Sequence, residues 1–147
     1  MVNPMSTSSG FDASAIQRAE AALKALSINF QEWMSAEVEK LEIARVHARL
    51  EQYSPLSLEG LYNAAHDVKG LGTTYEYPFI TTIAGQLCRL LESGEGRKAA
   101  REAPSLIDTH VDAIRTVLRS NVRNDDDPTV AALIEALKAR VDRWARP

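Results

Sequence analysis

The sequence predicts an all-α chain: an antiparallel four-helix bundle, with additional helices capping it at the N- and C-terminal ends. Three observations carry that reading. Apolar residues recur at steps of three and four in segment after segment, and no stretch alternates as a half-buried strand would. The segments are separated by short Pro-, Gly- and Ser-containing breaks, which suits antiparallel neighbours. The chain has 147 residues, 45% of them apolar, with 6 prolines and 7 glycines, enough for one domain with a real core.

Residues 1–10 are polar and are expected to form a flexible start. Residues 11–147 then form a single helical domain. Helical character begins near Phe11 or Asp12, with Asp12 as a possible cap, and runs through AIQRAEAALKAL. Ser27 marks either a break or only a mild kink. A long helix follows from Ile28 to about Gln52, its apolar positions Ile28, Trp33, Val38, Leu41, Ile43, Val46 and Leu50, and Tyr53, Ser54 and Pro55 end it. Ser57 is placed to cap the next helix, expected over residues 58–71 with a weak point at Gly60. Gly72, Thr73 and Thr74 are expected to loosen the chain. Pro78 fits the first turn of a third helix reaching Glu92, because proline's missing N–H costs little there. Residues 93–96 read as a turn. A fourth helix is expected from Ala99 or Pro104 to Ser120, an acidic loop over residues 124–128, and a last helix over residues 129–144. The bundle core is placed at about residues 28–121. Trp33 and Trp144 are expected in the core or under a cap.

The net charge is -3, with basic and acidic residues interleaved, which does not recommend DNA or RNA as a partner. The single cysteine, Cys88, lies in QLCRLLE and reads as a small buried apolar residue. No segment approaches a membrane span, and the first ten residues lack a signal peptide's apolar core. A cytoplasmic monomer is the expectation. His47 and His110 have no metal-spaced partner on their own helices, and Asp125, Asp126 and Asp127 read as a solvated loop before a helix start.

The chemistry is concentrated in AHDVKGLGTTYEYPFITTIAGQL, residues 65–87. On a helix, Leu58, Leu61, Ala65 and Val68 share one face, and His66 projects about 120° from its centre, on the side of Glu59, Asn63 and Gly70. At neutral pH a solvated imidazole offers an unprotonated ring nitrogen as a nucleophile. Lys69, one turn on, can reach a phosphoryl oxygen and offset its charge. Gly70 lies one turn beyond His66, where a β-carbon would begin to fill the approach path. Glycine there costs roughly 1 kcal/mol relative to alanine, which asks for a packing or access reason. Tyr62, Tyr75, Tyr77 and Phe79 flank the region, either ringing a docking face or closing the bundle.

His66-Asp67-Val68-Lys69-Gly70 resembles the HxxKG signature of histidine-containing phosphotransfer domains, and PFITTIAGQLCRLLE resembles that family's next conserved helix. The likeness covers roughly residues 28–121. It implies a four-helix bundle whose exposed histidine exchanges a phosphoryl group with the aspartate of response-regulator receiver domains, and with a hybrid histidine kinase as a further partner. By this resemblance His66 matches the phosphorylated nucleophile, Lys69 the supporting lysine and Gly70 the small residue beside the ring. Gln86, on the following helix, is a candidate hydrogen-bond donor to the phosphoryl group or the receiver. Members often carry another glycine near the position of Tyr77, where this chain departs. No cofactor of its own is implied, since Mg²⁺ would be bound by the receiver. No glycine-rich nucleotide loop is present, so the chain is expected to relay phosphate rather than take it from ATP. The alternatives are a bundle that binds or inhibits a signalling protein without being phosphorylated, and a helical metal carrier, for which the facing Glu and His pairs are missing.

Overall fold

A computed structural model of the chain describes residues 4–144, with side chains from residue 12 onward. It is all-α. Six helices run in order: α1 (Pro4–Leu50), α2 (Pro55–Thr74), α3 (Pro78–Glu92), α4 (Gly94–Glu102), α5 (Ser105–Arg119) and α6 (Pro128–Asp142). The core bundle is α1, α2, α3 and α5, with α4 and α6 flanking it. The expected flexible start over residues 1–10 falls partly outside the described residues, at 1–3; residues 4–10 belong to α1.

The helix boundaries follow from local chemistry. Ser54 caps α2 by accepting a hydrogen bond from the Ser57 N–H at 3.3 Å, and Pro55 occupies the first turn. The cap is therefore Ser54, three residues before the expected Ser57. Asp127 caps α6, accepting from the Thr129 and Val130 N–H groups at 3.0 and 3.1 Å. Ser93 caps α4 by accepting from the Gly96 N–H at 2.9 Å. A β-carbon at Gly96 would collide with the Leu90 carbonyl, so only glycine lets α4 fold back this closely on α3. After α5, Asn121 takes a left-handed φ of 52°, a conformation asparagine tolerates well, and Val122 N–H closes onto the Val117 carbonyl.

Three boundaries differ from expectation. No break occurs at Ser27: α1 is continuous, and the N-terminal segment is the projecting half of one helix rather than a separate cap. Serine is only mildly unfavourable within a helix, and neither Gly nor Pro occurs between residues 11 and 50. α2 continues through Gly72, Thr73 and Thr74 instead of loosening there, and turns only at Glu76, with φ 64°. The expected turn at residues 93–96 is the first turn of α4, and Pro104 separates α4 from α5.

The core is aliphatic: Leu58, Leu61, Ile80, Ile83, Leu87, Leu90, Leu91, Ile107 and Ile114 are fully buried, each contributing roughly 1.5–3 kcal/mol by leaving water. Tyr77 and Phe79 are buried too and help close the bundle. The Tyr77 hydroxyl donates to Asn121 Oδ1 at 2.7 Å, and Arg123 lies 4.4 Å over its ring. Trp33 and Trp144 are not core residues; they are 47% and 41% exposed, at the margins where α1 leaves the bundle and α6 ends. Across α1 and α5, Arg45 binds Glu42, Asp112 and Asp108 at 2.6, 2.8 and 3.3 Å.

Candidate functional site

The periodicity of α2 fixes the orientation of the site. Leu58, Leu61, Ala65, Val68 and Gly72 are buried, so the intervening Asn63, His66, Asp67, Lys69 and Gly70 stand outside. His66 is exposed, near the middle of the helix. Its ring lies 6.1 Å from that of Tyr62, one turn before, in a tilted contact. Tyr62 is held in turn by donating to a Glu92 carboxylate oxygen on α3 at 3.5 Å. A shallow groove beside the imidazole is lined by Glu37 and Lys40 of α1 and by His66, Asp67, Gly70 and Leu71 of α2. Glu37 and Lys40 pair with each other at 3.0 Å.

Lys69 lies on the other flank, toward α3. Its stem crosses Gly85: a β-carbon there would sit 3.7 Å from Lys69 Cδ and Cε. The aliphatic part is thus packed while the ammonium stays in water, as lysine commonly arranges itself on an apolar surface. None of the ion pairs formed among the described residues takes up this ammonium. Its charge is felt below: burial pushes the Cys88 thiol up to about 11, and Lys69 opposes the rise. Cys88 is accordingly an inert buried thiol.

The two glycines near the histidine have different reasons. A β-carbon at Gly72 would collide with Thr81 Oγ1 and lie 3.0 Å from the Thr81 backbone nitrogen, so Gly72 allows α2 and α3 to meet. Thr81 Oγ1 then donates to the Lys69 carbonyl at 3.1 Å, fixing the backbone under the lysine. A β-carbon at Gly70 would meet nothing within 4 Å. Among the described residues nothing packs against Gly70, and what it leaves is an open notch beside the imidazole.

Gln86 does not belong to this face. It is buried and donates its amide to the Ile134 carbonyl of α6 at 3.3 Å, with its Oε1 enclosed and unpartnered. One residue is a rotation of about 100°, enough to put Gly85 under Lys69 and Gln86 under α6. The expected hydrogen bond from Gln86 to a phosphoryl group or receiver is therefore corrected. The structure adds Glu37, Lys40 and Gly85 to the neighbourhood. The first two come from α1, and nothing in the spacing along α2 and α3 points to them.

The other histidines lie elsewhere. His47 is exposed on α1, with Nε2 3.9 Å from Glu51. His110 is fully buried on α5, its Nδ1 2.6 Å from the Leu106 carbonyl, and burial holds it below the ordinary histidine value. Among the described residues, no group of three His, Cys, Asp or Glu side chains converges as a metal site, and no helix is long and apolar enough to cross a membrane. Comparison with family models, with curated proteins and with solved structures yields no match for this chain.

Proposed function

We propose that this protein is a cytoplasmic phosphorelay intermediate that carries a phosphoryl group on His66. The observation supporting this most strongly is an imidazole standing in solvent at mid-helix, between an exposed lysine and an open glycine notch. The partners are receiver domains carrying an aspartyl phosphate, with a hybrid kinase as another source of phosphate. A lone pair on an unprotonated His66 ring nitrogen attacks phosphorus, the N–P bond forms, and the P–O bond to the aspartate breaks to release the carboxylate. The reverse step returns the phosphoryl group to a second receiver. Mg²⁺ and the aspartate belong to the receiver. This chain supplies the nucleophile or leaving group and the Lys69 charge beside it.

Incubation with phosphorylated receiver domains of the same organism tests the reading. Acid-labile phosphate should move onto the wild type and not onto His66→Gln, which should fold normally because the ring is exposed. Failure of every receiver to label the wild type would defeat it.

A further inference from the structure

His66 has unlike neighbours on the two turns beside it. One turn toward the N-terminus stands Tyr62, and one turn toward the C-terminus stands Gly70. Side chains on a helix lean toward its N-terminus, over the residues three and four places earlier. The His66 ring therefore leans toward Tyr62, and the two ring centroids lie 6.1 Å apart with their planes inclined by 36°. That separation is within the range at which aromatic rings attract one another. On the other side a β-carbon at Gly70 would meet nothing within 4 Å. The tyrosine is itself held. Its ring is half-buried and packs against the core, while the His66 ring stands in solvent. Its hydroxyl donates to Glu92 Oε1 at the end of α3, a long bond of 3.5 Å. The other aromatic residues that flank the histidine in sequence are engaged elsewhere: Tyr75 packs on Phe30 and Trp33, and Tyr77 and Phe79 are buried.

We infer that Tyr62 is a positioning residue for phosphoryl transfer: its ring is a fixed wall that restricts the plane of the His66 imidazole and leaves the Gly70 side as the way in. The inference rests on the relay reading of His66. Attack on phosphorus uses a nitrogen lone pair, which lies in the plane of the imidazole. Fixing that plane fixes the direction in which the N–P bond can form while the aspartyl P–O bond breaks. A solvated histidine without such a neighbour samples several rotamers, and most of them aim the lone pair away from a docked aspartyl phosphate. Restricting them before the receiver arrives raises the rate within the complex, with no contact between Tyr62 and the phosphoryl group required. The hydroxyl is secondary. Its bond to Glu92 is at the long edge of hydrogen bonding, and packing on the core holds the ring without it.

Two variants test this on the full chain. Tyr62→Leu removes the ring and keeps a helix-forming apolar side chain, and Tyr62→Phe removes the hydroxyl alone. Single-turnover transfer from one phosphorylated receiver is followed over a range of receiver concentration. Tyr62→Leu should lower the limiting rate by about tenfold and leave the half-saturating concentration unchanged. Tyr62→Phe should keep the wild-type limiting rate. NMR gives a second reading that needs no phosphate. Cross-relaxation between the two rings and a single His66 χ1 rotamer are expected in the wild type and in Tyr62→Phe, with averaged rotamers in Tyr62→Leu. A wild type that no receiver labels defeats the relay reading and this inference with it. Where the wild type is labelled, a wild-type limiting rate in Tyr62→Leu overturns this inference alone. So does a loss confined to the half-saturating concentration, which would make the ring a docking contact, and so does an equal loss in Tyr62→Phe. A slowed Tyr62→Leu whose His66 rotamer is unchanged overturns it as well. Absence of ring-to-ring cross-relaxation in the wild type overturns it even if Tyr62→Leu fails to fold.

Discussion

Replacing Gly70 separates access to His66 from stability more cleanly than any other change. A β-carbon at this position meets no atom within 4 Å, so alanine introduces no clash. Alanine is also better than glycine within a helix by about 0.8–1 kcal/mol. Gly70→Ala should therefore stabilise the protein by roughly that amount, raising Tm by about 2–4 °C for a chain of this size. Phosphoryl transfer should slow even so, because the new methyl lies on the approach path one turn from His66. Gly70→Leu should slow it further at unchanged fold. Gly72→Ala is the internal control: its β-carbon meets Thr81 Oγ1 and backbone, and overpacking of that kind costs about 1–3 kcal/mol, more than the gain in helix propensity. Differential scanning calorimetry and transfer rates from one phosphorylated receiver, measured on all three variants, decide the matter. A wild-type rate for Gly70→Leu would refute the access argument. A loss of stability in Gly70→Ala would refute the geometry beneath it.

Other expectations are more direct. Lys69→Ala should slow transfer by roughly tenfold while leaving the melting transition nearly unchanged, since it removes charge and not the attacking atom; a loss of helicity by circular dichroism would instead make the lysine structural. Gln86→Leu should leave the transfer rate at the wild-type value because its side chain faces α6, and a large loss of transfer at intact fold would contradict that placement. His110 gives a pH signature. Its value is lowered in the folded state by burial, so below about 6.5 the unfolded chain takes up a proton that the native protein does not. Its contribution is present above that pH and is lost as pH falls toward the folded-state value. Urea melts at pH 5.5 and 7.5 should show a steeper loss in the wild type than in His110→Leu.

Much of the architecture is legible where the chain carries its own punctuation. Pro78 and Ser93 bracket α3, and Asp127 with Pro128 starts α6, because caps and prolines act within a few residues. The outward position of His66 follows from α2 alone, since the buried Leu61, Ala65 and Val68 set the face. What escapes depends on neighbours far along the chain. Gly72 and the threonines beside it read as a loosening, yet they stay helical because Thr81 of α3 lies against them. Gln86 could not be assigned without knowing that α6 lies over that side of α3. Trp33 suits a core by composition, but it falls where α1 leaves the bundle and is covered only in part, by Phe30 and Tyr75.

Site mapping of transferred phosphate tests the chemistry of His66 without relying on a variant. Wild-type protein is exposed briefly to each phosphorylated receiver of its organism, quenched at alkaline pH, and the labelled peptide is identified by mass spectrometry. Acid-labile, base-stable phosphate is expected on the peptide carrying His66, from which it chases back onto a receiver aspartate. Label on any other residue, or no label from any receiver, would contradict it.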